Sequence, residues 1–255
     1  GTFAKTGISE IPQGLFDYNT KVENFAGTFY DCKSLISIPG GLFDNCTKVN
    51  KITHKNFYGV FYHCTNLQTI PEGLFDAFTN VTNNAAVFMD CKSLQTVPAG
   101  LFDKCTEVTS FFQTFYGCTN LTNIPEGLFD YNTKVTSYNQ TFRSCSSLQT
   151  IPEGLFDKCT KVTDFGQAFI GCSSSQTIPI GLFDNCPEIT SFKETFYGCT
   201  NLKEIPIGLF DYNTKVTNFG STFAHCYSLQ AIPQGLFDNC PEVTSFAHVF
   251  GSDTY

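Results

Sequence analysis

The sequence predicts a solenoid of short coils, each with two extended sides joined by tight corners or short helical turns. Three observations predict it. The string I-P-x-G-L-F-D, with Val for Ile once, begins at Ile11, Ile38, Ile70, Val97, Ile124, Ile151, Ile178, Ile205 and Ile232, and seven of the eight spacings are 27 residues, the other 32. A fixed period in this range means stacked units, each of which needs its neighbours to bury its apolar face. The 28 phenylalanines supply the second observation. Nine stand in the Leu-Phe-Asp column from Phe16 to Phe237, nine in the column three before a cysteine from Phe29 to Phe250, and six in a Val-x-x-Phe column that includes Phe111, Phe165 and Phe192. Rings in register along a whole chain form a spine, each contributing about 2–3 kcal/mol by area before entropy is subtracted. Third, no composition shift or linker interrupts the period, so residues 1–255 are expected to form a single solenoid domain, and the last repeat has no distinct polar cap, so that domain is expected to be a fragment of a longer protein.

Residues 148–174 justify each element in turn. Leu148-Gln-Thr-Ile151 is an apolar-x-x-apolar strand, ended by Pro152, which has no N–H for a ladder but suits the first turn of a helix. Gly154 to Cys159 reads as a single helical or 3-10 turn, too short to stand outside the stack. Val162-Thr-Asp-Phe165 repeats the extended pattern, and Ala168 to Cys172 reads as a second short turn.

The 13 cysteines fall in two columns. One runs Cys32, Cys64, Cys91, Cys118, Cys145, Cys172, Cys199, Cys226; the other holds Cys46, Cys105, Cys159, Cys186 and Cys240, with Asn19, Asn132, Asn213 and Phe78 at its remaining positions. A disulfide half cannot alternate with Asn, whereas a small side chain that hydrogen-bonds local backbone can. The thiols are therefore expected to be buried and reduced.

These residues also resemble a family. Phe115-Tyr-Gly-Cys118-Thr-Asn-Leu121-Thr-Asn-Ile124, followed by Val135-Thr-Ser-Tyr138-Asn-Gln-Thr141-Phe142-Arg-Ser-Cys145, is similar to the bacterial surface-protein repeats of about 26 residues related to BspA-like leucine-rich repeats. The Cys/Asn alternation is similar to the Asn/Cys position of leucine-rich repeats, while the inserted G-L-F-D-x-C segment departs from the shorter unit. The resemblance implies a parallel-sheet solenoid on a secreted or surface-attached bacterial protein. The expected fold is then an α/β solenoid: a right-handed leucine-rich-repeat-like stack of nine 27-residue coils with short parallel β-strands and short helical or 3-10 turns. Adhesion to host or matrix components is the role usually proposed for such proteins, so the expected function is a non-enzymatic binding module whose partner is a host or matrix protein or a glycan. The alternative is a stalk that displays another domain.

Charge narrows the partners. Net charge is −8 with no basic run, which argues against nucleic acid and an anionic membrane surface. No apolar stretch approaches the ~18 residues of a spanning helix. No nucleophile elbow, phosphate loop or H-E-x-x-H occurs, so neither catalytic residues, metal ligands nor a cofactor are expected. The Asp column, Asp17 to Asp238, stands in every repeat. It is open to cation binding, or to hydrogen bonding with turn and next-coil N–H groups. The exposed Thr column from Thr82 to Thr244 reads either as a receiving face or as a β-favouring solvated ladder. On the other extended side, Gln68, Gln95, Gln149 and Gln176 recur and suit a glycan or protein backbone, although the absence of Trp removes the best sugar-stacking platform. The one break in the period, between Val49 and Phe61, gathers Lys51, His54, Lys55 and Tyr58, with His63 nearby, in an otherwise acidic chain. Insertions in repeat proteins become surface loops, often on the binding face, and this one suits an acidic glycan or a carboxylate-bearing peptide.

Overall fold

A computed structural model of the protein describes residues 1–49 and 57–251. Numbering the sequence repeats 1 to 9 from each Leu-x-x-Ile position gives 8–34, 35–66, 67–93, 94–120, 121–147, 148–174, 175–201, 202–228 and 229 onward. Successive repeats lie in parallel and share hydrogen bonds. The fold is a leucine-rich-repeat-like solenoid.

The second extended side carries the longest ladder. Parallel bridges join Asn83, Ser110, Ser137, Asp164, Ser191, Asn218 and Ser245 in sequence. Beside it, Thr163 N–H donates to Thr136 O at 2.9 Å, and the Thr163 hydroxyl donates to the same carbonyl at 3.2 Å. The Thr column therefore spends its hydroxyls on the neighbouring coil. The first extended side is sparser: Gln149 N–H donates to Thr122 O at 3.0 Å, and bridges join Ser37 to Thr69 and Asn123 to Thr150. Each side is reduced to one bridging residue per coil, because a proline or a turn closes in within two positions.

The corners differ from the expected helical turns. Among the described residues none is helical. Asp157, Cys159 and Val162 N–H groups close separate turns on Gly154, Phe156 and Cys159 at 3.0, 2.9 and 3.3 Å. Gly154 sits at φ +67°, a left-handed conformation that no helical run can contain. The same glycine recurs in every repeat, which is why the corner bends rather than coils.

The segment read as a second short turn is a third hydrogen-bonded side. Gln167, Phe169 and Gly171 donate forward to Lys193, Thr195 and Tyr197 of the next repeat at 2.9, 2.9 and 2.8 Å. The intervening Ala168, Ile170 and Cys172 donate back to Phe165, Gln167 and Phe169 at 3.0, 3.4 and 3.2 Å. Donors thus alternate between inter-coil bonds and turns, giving a turn ribbon in which Gln167 and Gly171 both have positive φ.

The core is the three phenylalanine columns. Phe29, Phe61, Phe88, Phe115, Phe142, Phe169, Phe196, Phe223 and Phe250 stack face to face at 5.4–5.8 Å. The Leu-Phe-Asp rings and the Val-x-x-Phe rings interleave; Phe111 lies 4.8 Å from both Phe102 and Phe129. Phe57 takes the same place in repeat 2, at 5.6 Å from Phe43 and 5.1 Å from Phe75. The five extra residues of that repeat therefore fall between Val49 and Phe57.

All 13 cysteines are free and buried. The first column makes a sulfur ladder: Cys118, Cys145 and Cys172 thiols each donate to a carbonyl of the preceding coil, at Phe88, Phe115 and Phe142, all at 3.2 Å. In the second column Asn132 Nδ2 donates to Phe102 O at 3.1 Å and Cys105 O at 2.9 Å, and Asn213 repeats this with Phe183 and Cys186. Cys186 reaches Phe156 O and Cys159 O at 3.7 and 3.5 Å. Cys and Asn do interchange, but their partner is the backbone of the previous coil rather than their own turn. These are inter-coil staples.

Repeat 3 shows the rule by breaking it. Phe78 stands in the Cys/Asn column and Asn84 in the Val-x-x-Phe column. Phe78 packs against Phe57 at 4.7 Å and Phe43 at 5.4 Å, on the side of the preceding coil, and Asn84 is buried facing Cys105. Each repeat from 2 to 8 thus keeps one ring and one small or polar group at this level, whichever column supplies them.

Candidate functional site

The expected site residues do not converge. Lys51, His54 and Lys55 lie outside the described residues. Gln68, Gln95, Gln149 and Gln176 are exposed on the first extended side, with Thr122 interrupting the row and Lys203 Nζ donating to Gln176 Oε1 at 2.7 Å. Tyr58 is 41% exposed but belongs to the turn ribbon, a different side of the coil.

The Asp column lies folded onto its own corners. A Cβ at Gly154 would sit 3.1 Å from Asp157 Oδ2, so the carboxylate covers the glycine. Asn185 Nδ2 donates to Asp157 Oδ1, and Asn239 to Asp211, both at 3.2 Å. Burial first, and then Asp211 and Asp157, raise the Asp184 carboxyl above the usual carboxylate range. Among the described residues no three His, Cys, Asp or Glu side chains are placed to hold a metal ion.

What the structure does gather is a polar aromatic patch on the turn ribbon of repeats 1 to 4. The residue after the stacked phenylalanine is Tyr30, Tyr62, Met89, Tyr116 and then Arg143 in successive repeats. The Tyr30 and Tyr62 rings are 5.1 Å apart. Lys5 Nζ lies 5.8 Å from the Tyr30 ring centre, and the Arg143 guanidinium 5.6 Å from that of Tyr116. The next position along holds Asp31, His63 and Asp90 at φ +59°, +62° and +57°, where repeats 4, 6 and 7 use Gly117, Gly171 and Gly198 and repeats 5 and 8 carry Ser144 and His225, both at φ +60°. A side chain in this conformation costs of order 1 kcal/mol relative to glycine. His63 Nδ1 is 2.6 Å from Asp31 Oδ1, and Lys33 is 3.5 Å from it. Burial raises the Asp90 carboxyl, although His63 and Lys92 both favour its charged form. The Tyr62 hydroxyl is raised by burial and then by Asp90. The signal in the sequence was F-Y-D-C, F-Y-H-C and F-Y-G-C, but a period-2 reading does not say which of these side chains reach solvent.

The family model described as "Mycoplasma protein of unknown function, DUF285" matches residues 44–155 and 154–254, and the chain belongs to that family. This agrees with the resemblance to BspA-like repeats. No curated protein matches the sequence. Among solved structures, the glycosylated Toll–Spatzle complex of Drosophila matches at 18% identity and TM-score 0.50, over 96% of this chain and 36% of that one. An internalin, inlF, from Listeria monocytogenes matches at 12% identity and TM-score 0.38 over 98% and 73%. A leucine rich cell surface protein from Faecalibacterium prausnitzii matches at 18% identity and TM-score 0.27 over 87% and 79%. The chain spans 38% and 36% of the two chains it matches in structures of the Toll–Spatzle complex, and likeness at these identities concerns the fold. Among the described residues no helix is long and apolar enough to cross a membrane.

Proposed function

We propose that this chain is a non-enzymatic binding or adhesion module of a bacterial surface protein, and that its contact with a host or matrix protein or a glycan lies on the turn ribbon of repeats 1 to 4. One observation carries the reading. Most columns repeat in register, and a surface of identical coils offers a ligand no unique place to dock. The Tyr30–Tyr62–Tyr116 patch, with Asp31, His63 and Asp90 in place of glycines, lies where the period also breaks. In sequence, Tyr58 follows the insertion that carries Lys51, His54 and Lys55. A stalk that binds nothing is the second reading. Inter-coil pairs such as Lys134–Glu107 and Lys215–Glu188, both at 2.6 Å, support it, since they join neighbouring coils as a spacer requires.

Binding of the purified chain to panels of matrix proteins and glycans separates the two. The module reading expects at least one specific ligand, whose affinity falls about tenfold or more, or by about 1.4 kcal/mol, when five residues between Val49 and Phe57 are excised. Silence across both panels supports the stalk. Retained binding after excision would take the insertion out of the contact and leave the Tyr30–Tyr62–Tyr116 patch and the Gln68–Gln176 face as its places.

A further inference from the structure

We propose that the ring of Tyr62 and the carboxylate of Asp90, flanked by Tyr58 and Tyr30, form a subsite for a positively charged side chain, an arginine above all, on a protein partner. The inference deepens the binding-module reading and rests on it.

The patch already shows the chemistry twice within the chain. Lys5 sits over Tyr30 and Arg143 over Tyr116, so tyrosines at this position of the ribbon present their faces to cations. Tyr62 stands between these two in the column, yet among the described residues no cation covers Tyr62 or Tyr58. A ring face attracts a cation electrostatically through its quadrupole, and a guanidinium also stacks flat on it.

The charge beside that ring is negative and under-compensated. Asp31 is occupied by His63 and Lys33. Asp90 has no such partner: among the described residues no cation pairs with its carboxylate within 4.0 Å, and burial raises its carboxyl although His63 and Lys92 favour the charged form. Its Oδ1 lies over the Cα of Gly117, where any Cβ would collide, so the carboxylate is held in place by the next coil. A planar fork fits a ring face on one side and a carboxylate edge on the other; an ammonium satisfies only the charge. Net charge of −8 steers a basic partner toward the chain, and the subsite gives it a place to stop. An acidic ligand would meet Asp31 and Asp90 at the same spot.

The test is an amide-NMR titration of the whole chain with a short peptide carrying one arginine among neutral residues. Its citrulline counterpart and an acidic oligosaccharide serve as the other probes. Two variants accompany it. Tyr62→Leu keeps the apolar cover and removes the π face; Asp90→Asn removes the charge and keeps a residue that tolerates positive φ. Thermal melts confirm that each remains folded, and Asp238→Asn in repeat 9 controls for bulk charge. The arginine peptide should shift ribbon signals of repeats 1 to 4 saturably, and both variants and the citrulline exchange should each weaken it about tenfold. Equal binding of arginine and citrulline peptides, or unchanged binding in Tyr62→Leu and Asp90→Asn, overturns the proposal. Should the oligosaccharide bind instead and survive both substitutions, the arginine subsite falls while the binding module stands.

Discussion

Repeat 3 offers a reciprocal exchange that tests how the core is organised. Phe78 is 1% exposed and contacts the Phe57, Phe43 and Phe75 rings at 4.7, 5.4 and 6.1 Å. Phe78→Cys removes a fully buried ring and should cost about 3 kcal/mol, toward the lower end for large-to-small core changes because sulfur keeps some volume. Asn84→Phe on its own adds a ring beside Phe75, which Phe78 already contacts at 6.1 Å, and overpacking of this kind costs about 1–3 kcal/mol. Together the two changes restore the arrangement of repeat 4, with a thiol aimed at the Phe43 carbonyl and a ring between Phe75 and Phe102. The double variant should then lie within about 1 kcal/mol of the parent, against an additive loss of roughly 5 kcal/mol, a coupling of roughly 4 kcal/mol. Urea denaturation of the four proteins, followed by circular dichroism, reads this directly. An additive double variant would refute the claim that one ring and one small group per coil are shared between the two columns.

Other outcomes follow from the same contacts. Asn132→Ala should lose about 2 kcal/mol by leaving the Phe102 and Cys105 carbonyls unpaired, while Asn132→Cys should lose less than half as much; equal losses in thermal melts would contradict the staple. Gly154→Ala should lose about 1–2 kcal/mol, since φ is +67° and the new Cβ would press on Asp157 Oδ2; an unchanged Tm would mean the corner adjusts freely. Burial pushes the Cys64, Cys105, Cys172 and Cys226 thiols up to about 12 from a usual value of 9.0. Above about pH 9 the unfolded chain releases those protons and the folded chain keeps them. Stability is therefore full below about pH 9 and falls by up to ~1.4 kcal/mol per pH unit per thiol as pH rises toward 12; urea midpoints that stay flat from about pH 8 to 10.5 would contradict this.

The stack, the phenylalanine spine and the buried thiols were legible because they depend on side-chain identity at a fixed period. Phe115, Phe142 and Phe169 recur every 27 residues, and only a stacked core explains them. The corners differ from the sequence expectation because Pro152 followed by Leu155 and Phe156 also fits a helical turn. The left-handed Gly154 that forbids one is a backbone fact that composition does not carry. The turn ribbon escaped for a related reason. Its alternation of forward and backward donors rests on positive φ at Gln167 and Gly171, and Gln does not announce that conformation. The tyrosine patch therefore stayed hidden although Tyr30, Tyr62 and Tyr116 sat in plain register, since which of them reaches solvent follows from the ribbon. Tyr58 stands out in the sequence through the broken period, and the Gln row through its expected exposure, which the structure shows; a row of scattered amides does not by itself define a chemistry.

Thiol titration tests the central structural claim, that coil-to-coil hydrogen bonds and stacked rings hold the chain together without disulfides. An aromatic disulfide reagent, added near pH 8 under non-reducing conditions, should react with almost no cysteine in the folded protein and with all 13 after denaturation in urea. A denatured count falling short by pairs, or rapid reaction of the folded chain, would contradict it.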